Sequence, residues 1–181
     1  MRTLKIDMSE LESAMGNSFL ELRYYLDAET GAVLMVTDAA RDAMEEICEE
    51  IDEGDDQLAD ARFRELLTAS NRQDWEQAGI LAAYQIEYRS CDRYLPVPKQ
   101  DSHTGYEDME DFIYTARDER LQAKLRRAIS GRGAFRYFKD VLSDYPAERE
   151  HWFTFSHDQE RKRMLEWLES EGIAPSAEPG R

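Results

Sequence analysis

Cysteine is scarce in this chain of 181 residues, which has only Cys48 and Cys91, in unrelated contexts and without a C-x-x-C partner. A disulfide framework and a zinc site built on thiolates are therefore not expected, and both thiols should be reduced. No apolar run approaches the roughly twenty residues that cross a bilayer, and the N-terminus lacks an apolar signal core before Asp7. The expectation is a cytoplasmic protein with no membrane contact. Histidine is also rare. His103, His151 and His157 are the only three, and the interval between the last two fits neither i, i+4 nor a zincin pattern, so no metal is expected. G-x-S-x-G and G-x-x-x-x-G-K-[ST] motifs are absent, as is a Cys and His pairing in a recognisable context, and no cofactor is expected.

What the chain has in abundance is acid. Its formal charge is -16, with 41% hydrophobic and 10% aromatic side chains, enough for one core in one domain. The charge is unevenly spread: acids against bases number 17 to 4 over residues 1–60, 10 to 6 over 61–116, 3 to 8 over 117–140 and 9 to 5 over 141–181. Such a balance argues against direct binding to nucleic acid. The single net-positive stretch, 117–140, could hold a phosphate or an acidic partner, or be neutralised by the protein's own carboxylates.

Patterning predicts an α+β fold, with a small antiparallel sheet from the N-terminal half and a helical C-terminal half packed on it. Arg2–Asp7 reads as a strand, followed by a helix capped by Ser9 with Glu12 and ended at Gly16. Phe19–Ala28 and Ala32–Thr37 read as a hairpin turning at Gly31. Asp38 is the expected cap of a helix with Met44 and Ile47 on its apolar side. The acidic run 52–60 lacks the register of a calcium loop and reads as a solvated turn. Leu58–Leu67 and Trp75–Ala83 are expected helices, Gln85–Tyr88 and Arg93–Val97 expected extended segments, the latter at a sheet edge because Pro98 follows. Beyond Ser102 the chain turns helical: one stripe holds Met109, Phe112 and Ile113, another Leu121, Leu125 and Ile129. Pro146 suits the start of a helix carrying Trp152 and Phe155, and Ser156 with Gln159 suggests a cap for a separate last helix ending near Gly172. The domain should cover 1–173, and residues 174–181 should form a disordered tail.

Residues 131–142, Gly-Arg-Gly-Ala-Phe-Arg-Tyr-Phe-Lys-Asp-Val-Leu, concentrate the most chemistry. Gly131 can end one helix and Gly133 can admit a close neighbour. Phe135, Phe138 and Leu142 share a face expected to be buried, while Arg132, Arg136 and Lys139 fall on another. A helix start presents free N–H groups and a positive dipole end, and with these cations it would favour an anion. The same residues also suit a helix–helix corner in which Arg136 pairs with Asp140.

Several separated segments carry a family resemblance. Tyr24-Tyr25-Leu26-Asp27 with Thr30-Gly31, Arg93-Tyr94-Leu95-Pro96-Val97-Pro98, Met109-Glu110-Asp111-Phe112-Ile113, Gly131-Arg132-Gly133-Ala134-Phe135-Arg136 with Phe138-Lys139-Asp140, and Glu148-Arg149-Glu150 with Trp152-Phe153 together resemble an uncharacterised bacterial protein family over about residues 24–173. The resemblance implies a small bacterial protein and carries no established activity.

The expected function is a non-enzymatic binding or regulatory module. Gly131, Arg132, Gly133, Arg136 and Lys139 would contact an acidic ligand or partner protein. Two alternatives stay open, an enzyme with an unrecognised carboxylate site and an acidic mimic of nucleic acid, the latter requiring the 1–60 carboxylates to line one face.

Overall fold

Arg2–Leu4 forms the first strand, β1, in a computed structural model that describes residues 1–51, 56–88 and 92–176. It pairs in parallel with the last strand, β5 (Ile173–Pro175), with Arg2 opposite Ile173 and the Ser176 amide donating to the Leu4 carbonyl at 2.7 Å. Ala174 and Pro175, expected in the disordered tail, are thus in a strand, anchored by the buried Ile173. Residues 177–181 lie outside the described residues. Met1–Pro98 with Ile173 onward make one compact unit, and Lys99–Gly172 another.

In the first unit, helix α1 (Met8–Met15) is capped by Asp7, which accepts from the Ser9 and Glu10 amides at 3.0 Å each. The cap lies two residues before the expected Ser9, because the Asp7 side chain reaches the first free amides of a helix that already begins at Met8. Strands β2 (Leu22–Asp27) and β3 (Val33–Thr37) form the expected antiparallel hairpin, Leu22 opposite Thr37 and Leu26 opposite Val33. Gly31 turns it at φ 79°, where a Cβ would also run into the Lys5 carbonyl. Strand β4 (Tyr94–Pro96) pairs with the other side of β2, giving the order β3-β2-β4 and the edge position expected for it.

Helix α2 (Asp38–Glu49) is capped by the Thr37 hydroxyl, which accepts from the Ala40 amide at 3.0 Å, so Asp38 stands in the first turn rather than at the cap. Helix α3 (Asp56–Ala69) takes up the end of the acidic run, of which 52–55 lie outside the described residues. Helix α4 (Asp74–Tyr88) includes Gln85–Tyr88, which were expected to be extended. Helical spacing persists there: Ile80, Ala83 and Tyr84 are buried, and the Tyr84 ring stacks on Phe63 with centroids 3.8 Å apart. Val36, Met44, Ile47, Phe63, Leu67 and Ile80 form the hydrophobic cluster between sheet and helices.

The second unit is helical: α5 (Ser102–Thr115), α6 (Glu119–Ile129), α7 (Ala134–Ser143) and α8 (Pro146–Ser170). Asp101 and Asp118 cap α5 and α6 through the Thr104 and Arg120 amides, each at 2.8 Å. The expected stripes of α5 and α6 meet around Phe112, whose ring lies edge-on to Phe138 and Trp152 with centroids 6.0 and 5.1 Å away. The buried face of α7 is Ala134, Phe138 and Leu142, in steps of four. Phe135, expected with them, is 43% exposed. Its ring lies on Gly105, where a Cβ would stand 3.0 Å from it. Ser156 and Gln159 start no helix, because α8 runs unbroken through them. Trp152 and Phe155 pack on the cluster, and Met164 and Leu168 are buried further along. No helix among the described residues is long and apolar enough to cross a membrane.

Candidate functional site

The chain between α6 and α7 is a tight corner. Ser130 ends α6 with its amide on the Arg127 carbonyl, Gly131 follows in open space, and Gly133 takes φ 86° as the first residue of the α7 turn. That left-handed angle suits glycine, and a Cβ there would also press to 3.2 Å from the Tyr137 ring. The Gly133 carbonyl accepts from the Arg136 and Tyr137 amides at 3.0 and 3.1 Å, and no side chain caps the helix start. The sequence dictates this arrangement: glycine permits the turn, and it brings no side-chain acceptor to cover the amides.

A surface groove of about 500 Å³ opens beside the corner, with Lys124, Arg127, Gly131, Arg132, Asp140 and Asp144 in its lining. Arg127 and Arg132 have no ion-pair partner among the described residues. Lys124 donates to the Tyr145 hydroxyl at 2.9 Å and lies 5.2 Å from that ring's centre, and this hydrogen bond raises its pKa. Arg136 and Lys139 are not in the groove lining. Arg136 reaches Asp140 at 3.8 Å, a pair open to solvent on both sides. The five residues singled out from the sequence are therefore divided: Gly131 and Arg132 line the groove, Gly133 makes the turn beside it, and Arg136 and Lys139 are not among its lining residues. Lys124 and Arg127, which the motif did not contain, are the other cations of the lining. Their signal in the sequence was the basic run 117–140, without a way to choose among its members.

Two buried carboxylates escaped sequence reasoning. Asp27, at the end of β2, receives Nε and Nη2 of Arg93 at 2.9 and 2.7 Å, the Glu29 amide at 2.9 Å and the Thr30 hydroxyl at 2.8 Å. Burial alone would raise its pKa, but these donors, Arg93 foremost, outweigh that effect and hold the group at about 2. Asp108 of α5 accepts the fork of Arg163 in α8 at 2.8 and 2.9 Å. Asp27 and Arg93 sit in two of the resemblance segments, the only hint that they belong together. Each histidine lies beside a carboxylate of its own helix: His103 by Glu107, His151 by Glu148, His157 by Asp158. Burial pushes the Cys48 thiol up, with Glu45 and Glu87 adding to it against a hydrogen bond from Tyr88, so it is no ready nucleophile. Cys91 lies outside the described residues.

Comparison with known proteins gives a family without an activity. Residues 73–180 match the model of an uncharacterised protein family, UPF0158, a span that contains the α6–α7 corner. A UPF0158 protein of Pseudomonas aeruginosa is 24% identical over 177 residues, 98% of this chain and 90% of that one. UPF0158 proteins of Chlamydia muridarum and Chlamydia trachomatis are 28% identical over 96 residues, 52% of this chain and 29% of theirs. No solved structure matches the chain. With more than half of its length on the family model, the chain belongs to the UPF0158 family.

Proposed function

We propose that the protein is a binding or regulatory module that holds an acidic group in the α6–α7 groove. The observation that carries this reading is that Arg127 and Arg132 share one groove without ion-pair partners among the described residues. Arg41, Arg93 and Arg163, by contrast, are taken up by carboxylates. Three cations against two aspartates leave the lining positive by one formal charge, and Lys124 is already engaged with Tyr145. An incoming carboxylate or phosphate could accept from two guanidinium groups and lie near the uncapped amides of α7. The enzyme alternative gains nothing from Asp27, which a bidentate arginine keeps ionised and occupied.

The reading is tested by titrating a glutamate-rich peptide onto the wild-type protein and onto Arg127→Gln, Arg132→Gln and Arg136→Gln variants. The first two should weaken binding roughly tenfold each, the scale of one lost charge-assisted hydrogen bond, while Arg136→Gln changes it little. All three should keep the wild-type melting temperature, since exposed charges contribute little to folding. Equal losses from all three variants would reduce the effect to general charge and show that the groove is not the binding site.

A further inference from the structure

Strand β3 is an edge of the three-stranded sheet, and its outward backbone groups face a groove. The Asp27 amide donates to the Ala32 carbonyl at 2.9 Å and the Asp38 amide to the Glu21 carbonyl at 3.1 Å. With Tyr25 opposite Leu34 and Arg23 opposite Val36, the residues of β3 that bond to β2 are the even-numbered ones. Val33 and Met35 therefore turn N–H and C=O outward, to an edge that no strand occupies among the described residues. Along it, between β3 and α4, runs a groove of about 520 Å³ with Val33, Met35, Thr37, Trp75 and Gly79 in its lining. Trp75 is 70% and Met35 49% exposed, an unusual amount of open apolar surface beside a free strand edge.

The electrostatics select the occupant. Arg72, the cation in the groove lining, is drawn to Glu46 at 3.6 Å, and Glu76 stands beside it in the lining. The groove lies in the unit that carries the most acidic part of the sequence, with 17 acids against 4 bases over residues 1–60. A second copy would bring the same acidic surface against this one, and is opposed by it. We propose that the β3 edge and the Trp75 groove bind an extended, basic peptide segment of a partner protein, which adds to the sheet as a further strand. Main-chain hydrogen bonds to Val33 and Met35 would hold it, alternate apolar side chains would enter the groove, and lysines or arginines would face the surrounding acids. This site lies in the other unit from the α6–α7 groove and does not depend on it.

Amide exchange in the full-length protein tests the proposal, with a short end-blocked peptide alternating lysine and valine as probe and its glutamate counterpart as control. The lysine peptide should slow exchange at Val33 and Met35 by at least about tenfold, while Leu34 and Val36, already bonded to β2, change little. Trp75→Ala and Met35→Lys should each weaken binding roughly tenfold at unchanged melting temperature, since both side chains are exposed anchors rather than core. Binding of the lysine peptide that leaves Val33 and Met35 unprotected would overturn strand addition. Equal protection by the glutamate peptide would overturn the charge argument, and protection that grows with protein concentration alone would identify a second copy as the occupant instead.

Discussion

Asp27 shows how much a single residue can fix. Its carboxylate ties the end of β2 to the Glu29–Gly31 turn and, through Arg93, to the chain entering β4. Because the folded group titrates at about 2 and an unfolded aspartate near 4, its contribution is complete above about pH 5 and disappears as the pH falls toward 2. Acid denaturation should therefore cost about 2 kcal/mol through this group. Asp27→Asn should lose about that amount at pH 7 and flatten the stability profile below pH 5, as followed by urea unfolding at several pH values. A variant with wild-type acid sensitivity would show that the pair is not what holds the turn. Arg163→Met, which leaves Asp108 without its fork, should likewise cost about 1–3 kcal/mol. Neither pair was legible beforehand. Sequence spacing reports which residues share a helix or strand, whereas Asp27 and Arg93 stand 66 positions apart and meet only through the sheet.

At the scale of elements, local patterns held where one physical rule governed. The hairpin around Gly31, the edge strand at Tyr94 and the stripes of α5 and α6 followed from turn chemistry, proline and apolar period. The misreadings arose where a tertiary partner decided. Gln85–Tyr88 continues α4 because Tyr84 stacks on Phe63 and Tyr88 on Tyr84, and α8 passes Ser156 because buried Met164 and Leu168 carry its period onward. β5 pairs with β1 from the opposite end of the chain, a contact no local window contains. Deleting residues from Ile173 onward should lower the melting temperature by roughly 4–8 °C, because a fully buried isoleucine contributes about 2 kcal/mol. An unchanged melting curve would mean that β5 adds nothing to the fold. On α7 the two phenylalanines separate cleanly: Phe138→Ala should cost about 3–5 kcal/mol, while the half-exposed Phe135 should cost under about 1.5. Denaturant unfolding of both variants checks the assignment of the buried face.

For the molecule as a whole, the charge map was readable before the fold was known, and its meaning was not. The net-positive stretch 117–140 was evident from counting, but grouping Arg132 with Arg136 and Lys139 assumed one helix, and α7 begins only at Ala134, after the left-handed turn of Gly133. Arg132 therefore joins Arg127 across the corner instead. A positive groove on a protein of net charge -16 should bind its acidic ligand more weakly as salt rises, since the attraction is partly screened within a Debye length of about 8 Å at physiological ionic strength. Whether this corner receives an acidic group can be read by nuclear magnetic resonance of the labelled protein during titration with a glutamate-rich peptide. Saturable shifts are expected at the Ser130–Ala134 amides and at the Arg127 and Arg132 side-chain Nε–H signals, and the amide shifts should be lost when both arginines become glutamine. Shifts spread over Arg136, Lys139 and other exposed cations, or a response that survives the double substitution, would show that the corner is not where the acidic group binds.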